Sequence, residues 1–186
     1  MTPPPVHDDA TAVLTAWEAP TPDQSAIRYA LLAYLAARSD ACARACASGH
    51  LTASALVVDA VGEHALLTLH PRVGRWLQLG GHIEADDPTL RDAALREATE
   101  ESGIADLTIS DAPVHLDVHP VTCSLGVPTR HLDVRYLVRA PAGATAVRSD
   151  ESVDLRWWPL AELPDDVAFG RAFGRSLTPS EPSARS

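Results

Sequence analysis

Apolar positions along this chain change period several times, and each change predicts an element. After Thr21-Pro22-Asp23, the residues Ile27, Ala30, Leu31, Tyr34 and Leu35 recur at three- and four-residue spacing, which lays them along one helical face. Ser39-Asp40 is placed to cap a second, short helix through Cys46 and Ala47, stopped by Gly49. The period then shortens. Leu51–Asp59 reads as a strand, Ala60-Val61-Gly62-Glu63 as a turn and His64–His70 as the returning strand of a hairpin. Trp76-Leu77-Gln78-Leu79 leads into the glycine pair Gly80-Gly81, read as a loop whose backbone can approach a ligand closely. Asp87-Pro88 suits a helix start, with Asp87 as cap and Pro88 at the first helical position, where no N–H is needed. Ala93, Ala94, Leu95 and Ala98 supply that helix with a packing stripe, and Gly103 suits the position just past its end. Short strands are expected near Leu107–Ile109 and Val114–Val118, an exposed loop over 119–129, and clear β runs at His131–Val138 and Val153–Trp158. Pro159–Pro164 reads as a helical turn and Asp165–Ser176 as a terminal helix.

This order predicts an α/β fold, a mixed sheet covered by helices. The expected organisation is a mobile, proline-rich acidic arm over 1–21 with a short ordered stretch near Val13–Trp17, a helical extension over 22–49, one domain over 50–176 and a disordered polar tail over 177–186. The extension could cover the core, shape a substrate pocket or form a homodimer contact.

Composition narrows the function. No apolar run approaches the roughly 20 residues that span a bilayer, and the N-terminus lacks a basic stretch followed by an apolar one, so a cytoplasmic protein with no membrane partner is expected. A net charge of −10 argues against a nucleic-acid polymer as the main partner. All fifteen basic residues are arginine, which removes a lysine Schiff base or a P-loop lysine from consideration. Cys42, Cys46 and Cys123 cannot form a full set of internal disulfides, and no Cys/His pair of zinc spacing accompanies Cys42 and Cys46; ordinary reduced thiols are expected.

The chemistry concentrates in one helix. Glu97, Glu100 and Glu101, spaced i, i+3, i+4, put three carboxylates on one face just before Ser102-Gly103-Ile104. Like charges at this spacing destabilise a helix by roughly 0.2–0.5 kcal/mol per pair. Anions in the last turns also oppose the macrodipole, at roughly 0.3–1 kcal/mol each. Carboxylates held against both effects point to a bound cation. Oxygen ligands without histidine or thiolate favour Mg²⁺ or Mn²⁺ over zinc. A solvated acidic face partly neutralised by Arg96 is the bland alternative.

The segment Gly81–Ile104 resembles the Nudix box. Arg96-Glu97-Ala98-Thr99-Glu100-Glu101-Ser102-Gly103-Ile104 fits its second half closely. The first half departs from it: one residue is extra, and Asp87 stands where the first glutamate is expected. Trp157-Trp158-Pro159-Leu160-Ala161-Glu162-Leu163 resembles a second run common near the end of Nudix domains, so the likeness covers about residues 50–176. It implies a Nudix-type α/β/α sandwich and metal-dependent hydrolysis of a diphosphate bond in a nucleoside diphosphate-linked or nucleoside triphosphate substrate. Glu97, Glu100 and Glu101 would be metal ligands, with Glu100, Glu101 and Arg96 the catalytic candidates and Arg96 bracing loop and helix. The general base could be a box glutamate or Asp150 or Glu151, and Glu84 is a further nearby carboxylate. Gly80, Gly81 and His82 are candidate substrate contacts. His131 belongs with Asp133 and Arg135 to a polar row that is either a pocket lining or the solvent side of a sheet. A non-catalytic nucleotide sensor of the same fold is the rival reading.

Overall fold

Strand β1 (His50–Val58) is buried at all nine positions because it has neighbours along both edges. In this computed structural model, which describes residues 4–72, 74–122, 126, 128–150, 152–164 and 167, β1 anchors an eight-stranded mixed sheet. One edge pairs in parallel, over the whole of β1, with β7 (Pro128–Arg139). The other is shared between β2 (His64–Leu69), which pairs at Val57 and Val58, and β4 (Leu79–His82), which pairs at Thr52–Ala55. The short strand β3 (Trp76–Leu77) and β8 (Asp154–Pro159) add to β2; β5 (Thr108–Ile109) and β6 (His115–Thr122) add to β7. A 3₁₀ turn, Leu160–Glu162, follows β8.

Alternation along these strands builds two different faces. On one, Leu51, Ala53, Val134, Tyr136 and Leu116 meet Leu90, Ala93 and Ala94 of helix α3 (Leu90–Ser102) together with two N-terminal helices. On the other, His50, Thr52 and Ser54 of β1 stand beside His131, Asp133 and Arg135 of β7 and His119, Asp117 and His115 of β6, in three register-matched rows.

Several expectations are corrected here. The anticipated arm is helix α1 (Pro5–Ala16): Val6, Ala10 and Leu14, at i, i+4 and i+8, are buried against α2 (Pro22–Ala37) and α3. Prolines and acids masked that stripe in the sequence. The two helices also satisfy each other's last carbonyls, Arg28 donating to the Leu14 and Thr15 carbonyls and His7 Nε2 lying 3.1 Å from both the Leu35 and Arg38 carbonyls. The expected short helix over Ser39–Ala47 is a chain of turns, closed by hydrogen bonds such as Cys46 N–H to the Ala43 carbonyl at 2.8 Å. Cys42 and Cys46 are buried free thiols in it. The glycine pair forms not a loop but strand β4, and 119–129 is largely a continuation of β6 and β7, paired from His119↔His131 to Thr122↔Pro128. Isolated prolines are tolerated there because β6 is an edge strand. The expected terminal helix and tail fall outside the described residues, apart from Val167, which packs beneath Trp158 and Leu163. Among the described residues no helix is long and apolar enough to cross a membrane.

Candidate active site

Helix α3 begins two residues later than the sequence suggests. Thr89 caps it by accepting the Asp92 N–H at 3.0 Å, and Asp9 of α1 accepts the Leu90 N–H at 2.8 Å. Asp9 thus ties the N-terminal helix to the start of the site helix, and its burial, with Asp92 nearby, raises its carboxyl above the usual value despite that hydrogen bond. At the far end Gly103 takes a left-handed conformation (φ 65°) and donates to the Thr99 carbonyl.

Asp87, freed from capping, has another use. It receives a two-pronged contact from Arg96, Nε to Oδ1 at 3.0 Å and NH2 to Oδ2 at 2.8 Å, and its Oδ2 also accepts the Glu84 N–H at 2.8 Å. Burial alone would raise the Asp87 carboxyl, but these bonds outweigh it and hold it below its ordinary value. Arg96 also donates to the His82 carbonyl at 3.0 Å, to Glu97 Oε1 at 3.1 Å and to Glu100 Oε2 at 3.1 Å. Its five hydrogen bonds tie the loop before α3 to the glutamates of that helix, the bracing expected of Arg96. Glu84 is exposed and stands apart from this network except through its backbone.

The glutamates face strand β4. The Glu97 carboxylate lies over Gly81 so closely that a Cβ there would come within 2.9 Å of both its oxygens. Glu101 Oε2 accepts the Gly80 N–H at 3.3 Å. Glu97 is 13% exposed and Glu100 62%, so the face runs from a lined recess out to solvent. Gly80 has φ +143°, and a Cβ there would fall 2.5 Å from Ser54 Cα: the close packing of β4 on β1 requires glycine at that position. Downstream, the Val147 N–H donates to the Ser102 carbonyl at 2.7 Å, which brings the segment carrying exposed Asp150 past the end of α3. Glu151 lies outside the described residues.

His82 and His131 do not join the glutamates. Strand alternation turns the His82 ring to the opposite side of β4 from Glu97, where it meets His50 and His131 at centroid distances of 5.1 and 5.2 Å. This histidine group, with His119 5.5 Å from His131, was invisible in the sequence because its members are scattered over four strands. Beside it lies a buried ionic network: Asp133 accepts from Thr52 at 2.9 Å, Ser54 at 2.6 Å and Arg135 Nε at 2.6 Å, and Arg135 also donates to Asp117 at 2.8 Å. The polar row on β7 is therefore internal rather than solvent-facing. Tyr136 is fully buried in the core, and Trp76 packs edge-on to Trp158 at 5.3 Å, so these aromatics serve packing.

The family model for the NUDIX domain matches residues 49–177. The chain belongs to the Nudix hydrolase family. In three dimensions this Nudix chain is similar to a NUDIX-family hydrolase from Clostridium perfringens, at 26% identity and TM-score 0.50, over 63% of this chain and 87% of that one. It is similar also to the dihydroneopterin triphosphate pyrophosphohydrolase of E. coli, at 20% identity and TM-score 0.49, over 59% and 80% of the two chains. A C. elegans Ap4A hydrolase in a binary complex is similar at 22% identity and TM-score 0.46, over 59% and 80%. No curated protein matches the chain.

The histidine face of this Nudix domain is expected to make its stability fall with acid. Burial first, then Arg44 and the neighbouring histidines, push His82 down to about 3; burial, His50 and His119 push His131 down to about 4. Unfolded histidines titrate near 6.5. Between those limits the unfolded chain holds more protons than the folded one, so stability falls as the pH is lowered. In the presence of EDTA the thermal midpoint is expected to drop steadily from pH 6.5 towards pH 4, with a shallower fall in His131→Gln. A midpoint that stays level between pH 7 and pH 5 would contradict this.

Proposed function

We propose that this Nudix hydrolase cleaves a diphosphate bond in a nucleoside diphosphate-linked or nucleoside triphosphate substrate, with Mg²⁺ or Mn²⁺ held by Glu97, Glu100 and Glu101. The carrying observation is the placement of two glutamates against the glycine pair of β4: Gly81 leaves room for the Glu97 carboxylate, and the Gly80 N–H orients Glu101. The donor set is all oxygen, which suits a hard divalent cation. When bound, such an ion neutralises phosphate charge and makes a bound water a stronger nucleophile.

The chain's own residues supply the rest. Arg96, locked by Asp87 and the His82 carbonyl, fixes the angle between β4 and α3 and so the separation of glycines and glutamates. Gly80 and Gly81 offer backbone that a polyphosphate can approach closely. Glu100, the exposed member of the three, or Glu101 could take the proton from the attacking water, with Asp150 the candidate from outside the helix.

Two measurements bear on this. A panel of nucleoside triphosphates, diphosphate-linked nucleosides and non-nucleoside diphosphates is expected to yield phosphate, pyrophosphate or nucleoside monophosphate with Mg²⁺ or Mn²⁺ and none with EDTA. Nucleotide binding without turnover across the whole panel would favour the sensor reading instead. Gly81→Ala tests the recess: its Cβ would displace the Glu97 carboxylate, the flexible partner, so the fold should survive. Displacement on the order of 1 Å in a catalytic array costs up to about 100-fold, and a 10–100-fold loss of turnover with a nearly unchanged thermal midpoint is expected. Full activity in Gly81→Ala would remove the recess from the argument.

A further inference from the structure

The geometry points to a second cation site: we propose that His50, His82 and His131 bind a borderline transition-metal ion of the Zn²⁺, Co²⁺ or Ni²⁺ class, on the sheet face opposite the glutamates. Three strands bring these rings together. His50 is the first residue of β1, His131 is its register partner on β7, and His82 closes β4 on the other edge. One ring nitrogen from each lies within 4.8 Å of the other two, and no carboxylate belongs to the group. Nitrogens around a tetrahedral zinc ion would lie roughly 3.4 Å apart, given Zn–N bonds of roughly 2.0–2.1 Å, so modest ring rotations close the site.

The polar bookkeeping of the rings argues for a missing ligand. His50 Nε2 and His131 Nε2 are buried and have no hydrogen-bond partner among the described residues. Native structures rarely leave such atoms unsatisfied, and a bound ion is one recognised reason when they do. His50 Nδ1 lies 3.4 Å from the Cys46 carbonyl, a contact that places the proton on Nδ1 and leaves a lone pair on Nε2. Metal-bound histidines are commonly oriented in this way, by a carbonyl or a carboxylate on the other ring nitrogen. His119 repeats the pattern at the margin: its Nδ1 is 2.9 Å from Asp117 Oδ2, and its ring stands 5.5 Å from that of His131. His119 or a water would complete four ligands.

Imidazole ligands select zinc, cobalt or nickel, whereas carboxylates select magnesium or manganese. Strand β4 would therefore separate two cation sites of different taste, with Glu97 against Gly81 on one side and His82 on the other. Arg44 is a cation that acts against charge on all three rings, and it is exposed to solvent. An ion clamped by β1, β4 and β7 would hold β4 in place and, through it, the glycines that face the glutamates.

Tag-free, chelator-treated, full-length protein titrated with Co²⁺ in excess Mg²⁺ provides the test. One equivalent is expected to bind with the visible absorption of a nitrogen-ligated, low-coordinate Co²⁺ ion. That absorption should persist in the double variant Glu97→Gln/Glu101→Gln. It should weaken in affinity by about a hundredfold or more in His50→Gln or His131→Gln, since losing even an outer-shell partner costs roughly 10–100-fold. No Co²⁺ uptake, or uptake lost in the glutamate variant and kept in the histidine variants, overturns the proposal. Should a histidine variant not fold, wild-type crystals grown with Zn²⁺ decide the matter by anomalous scattering. A peak among the three rings supports the site, and a peak confined to the glutamates, or none, overturns it.

Discussion

Glu101→Gln is expected to reduce turnover by about 10²–10⁴-fold while leaving the fold intact. The substitution keeps the shape of the side chain, and the amide oxygen of glutamine can still accept the Gly80 N–H that Glu101 Oε2 accepts at 3.3 Å. What it removes is a charge from the cation-binding face. Metal-assisted stabilisation of a phosphoryl-transfer transition state is worth several kcal/mol, and each 1.36 kcal/mol or so is tenfold in rate, which sets that range. Steady-state kinetics with Mg²⁺, beside a thermal melt, measures both halves of the expectation. A kcat within tenfold of wild type would mean that Glu101 is no ligand and that the acidic face is merely solvated.

The largest loss of stability is expected not at the glutamates but across the sheet, in Asp133→Ala. Asp133 is 2% exposed and Arg135 3%, and their contact at 2.6 Å is supported by Thr52 and Ser54 on β1 and by Asp117 on β6. Removing one partner of a buried pair costs roughly 3–5 kcal/mol, because the other charge is left in a poorly solvated place. For a chain of this size each kcal/mol moves the midpoint by roughly 2–4 °C, so a fall of about 6–20 °C is expected. Replacing both partners, Asp133→Leu with Arg135→Met, should restore much of it, since an apolar pair of similar volume often matches a buried ion pair. A midpoint within about 3 °C of wild type for Asp133→Ala would show that water reaches this network and that it contributes little.

These two residues divide the protein along the line of what was legible in advance. Glu101 announces itself because its partners Glu97 and Glu100 lie within one helical turn, and a helix converts sequence spacing directly into shared direction. The hairpin of β1 and β2, the helix ending at Gly103 and the 3₁₀ turn after β8 are legible for the same local reason. Asp133 is different. Its alternation with His131 and Arg135 marks a strand face, but whether that face is wet or dry depends on β1 and β6, whose residues lie up to about eighty positions away.

Asp87 shows how a local rule can mislead. Its position before a proline is a good helix start by propensity, yet Thr89 caps α3 and Asp87 is claimed by Arg96, nine residues on. A bidentate guanidinium contact outweighs a cap that a neighbouring threonine can supply. The N-terminus shows the converse. Helix α1 is amphipathic, but only its docking on α2 and the bond from Leu90 N–H to Asp9 explain why a proline-flanked, acidic segment is ordered at all.

The sequence by itself determined the carboxylate face and the glycine stop, because each depends on contacts within a few residues along one helix; the bracing arginine and the class of reaction followed from the resemblance to the Nudix box. Tertiary structure alone decided that β4 meets Glu97 on one side and the histidines on the other, that the polar row of β7 is buried, and that Asp9 of α1 binds the start of α3. Those outcomes rest on strand register and sheet order, and pairing between distant segments has no periodicity that a single chain displays.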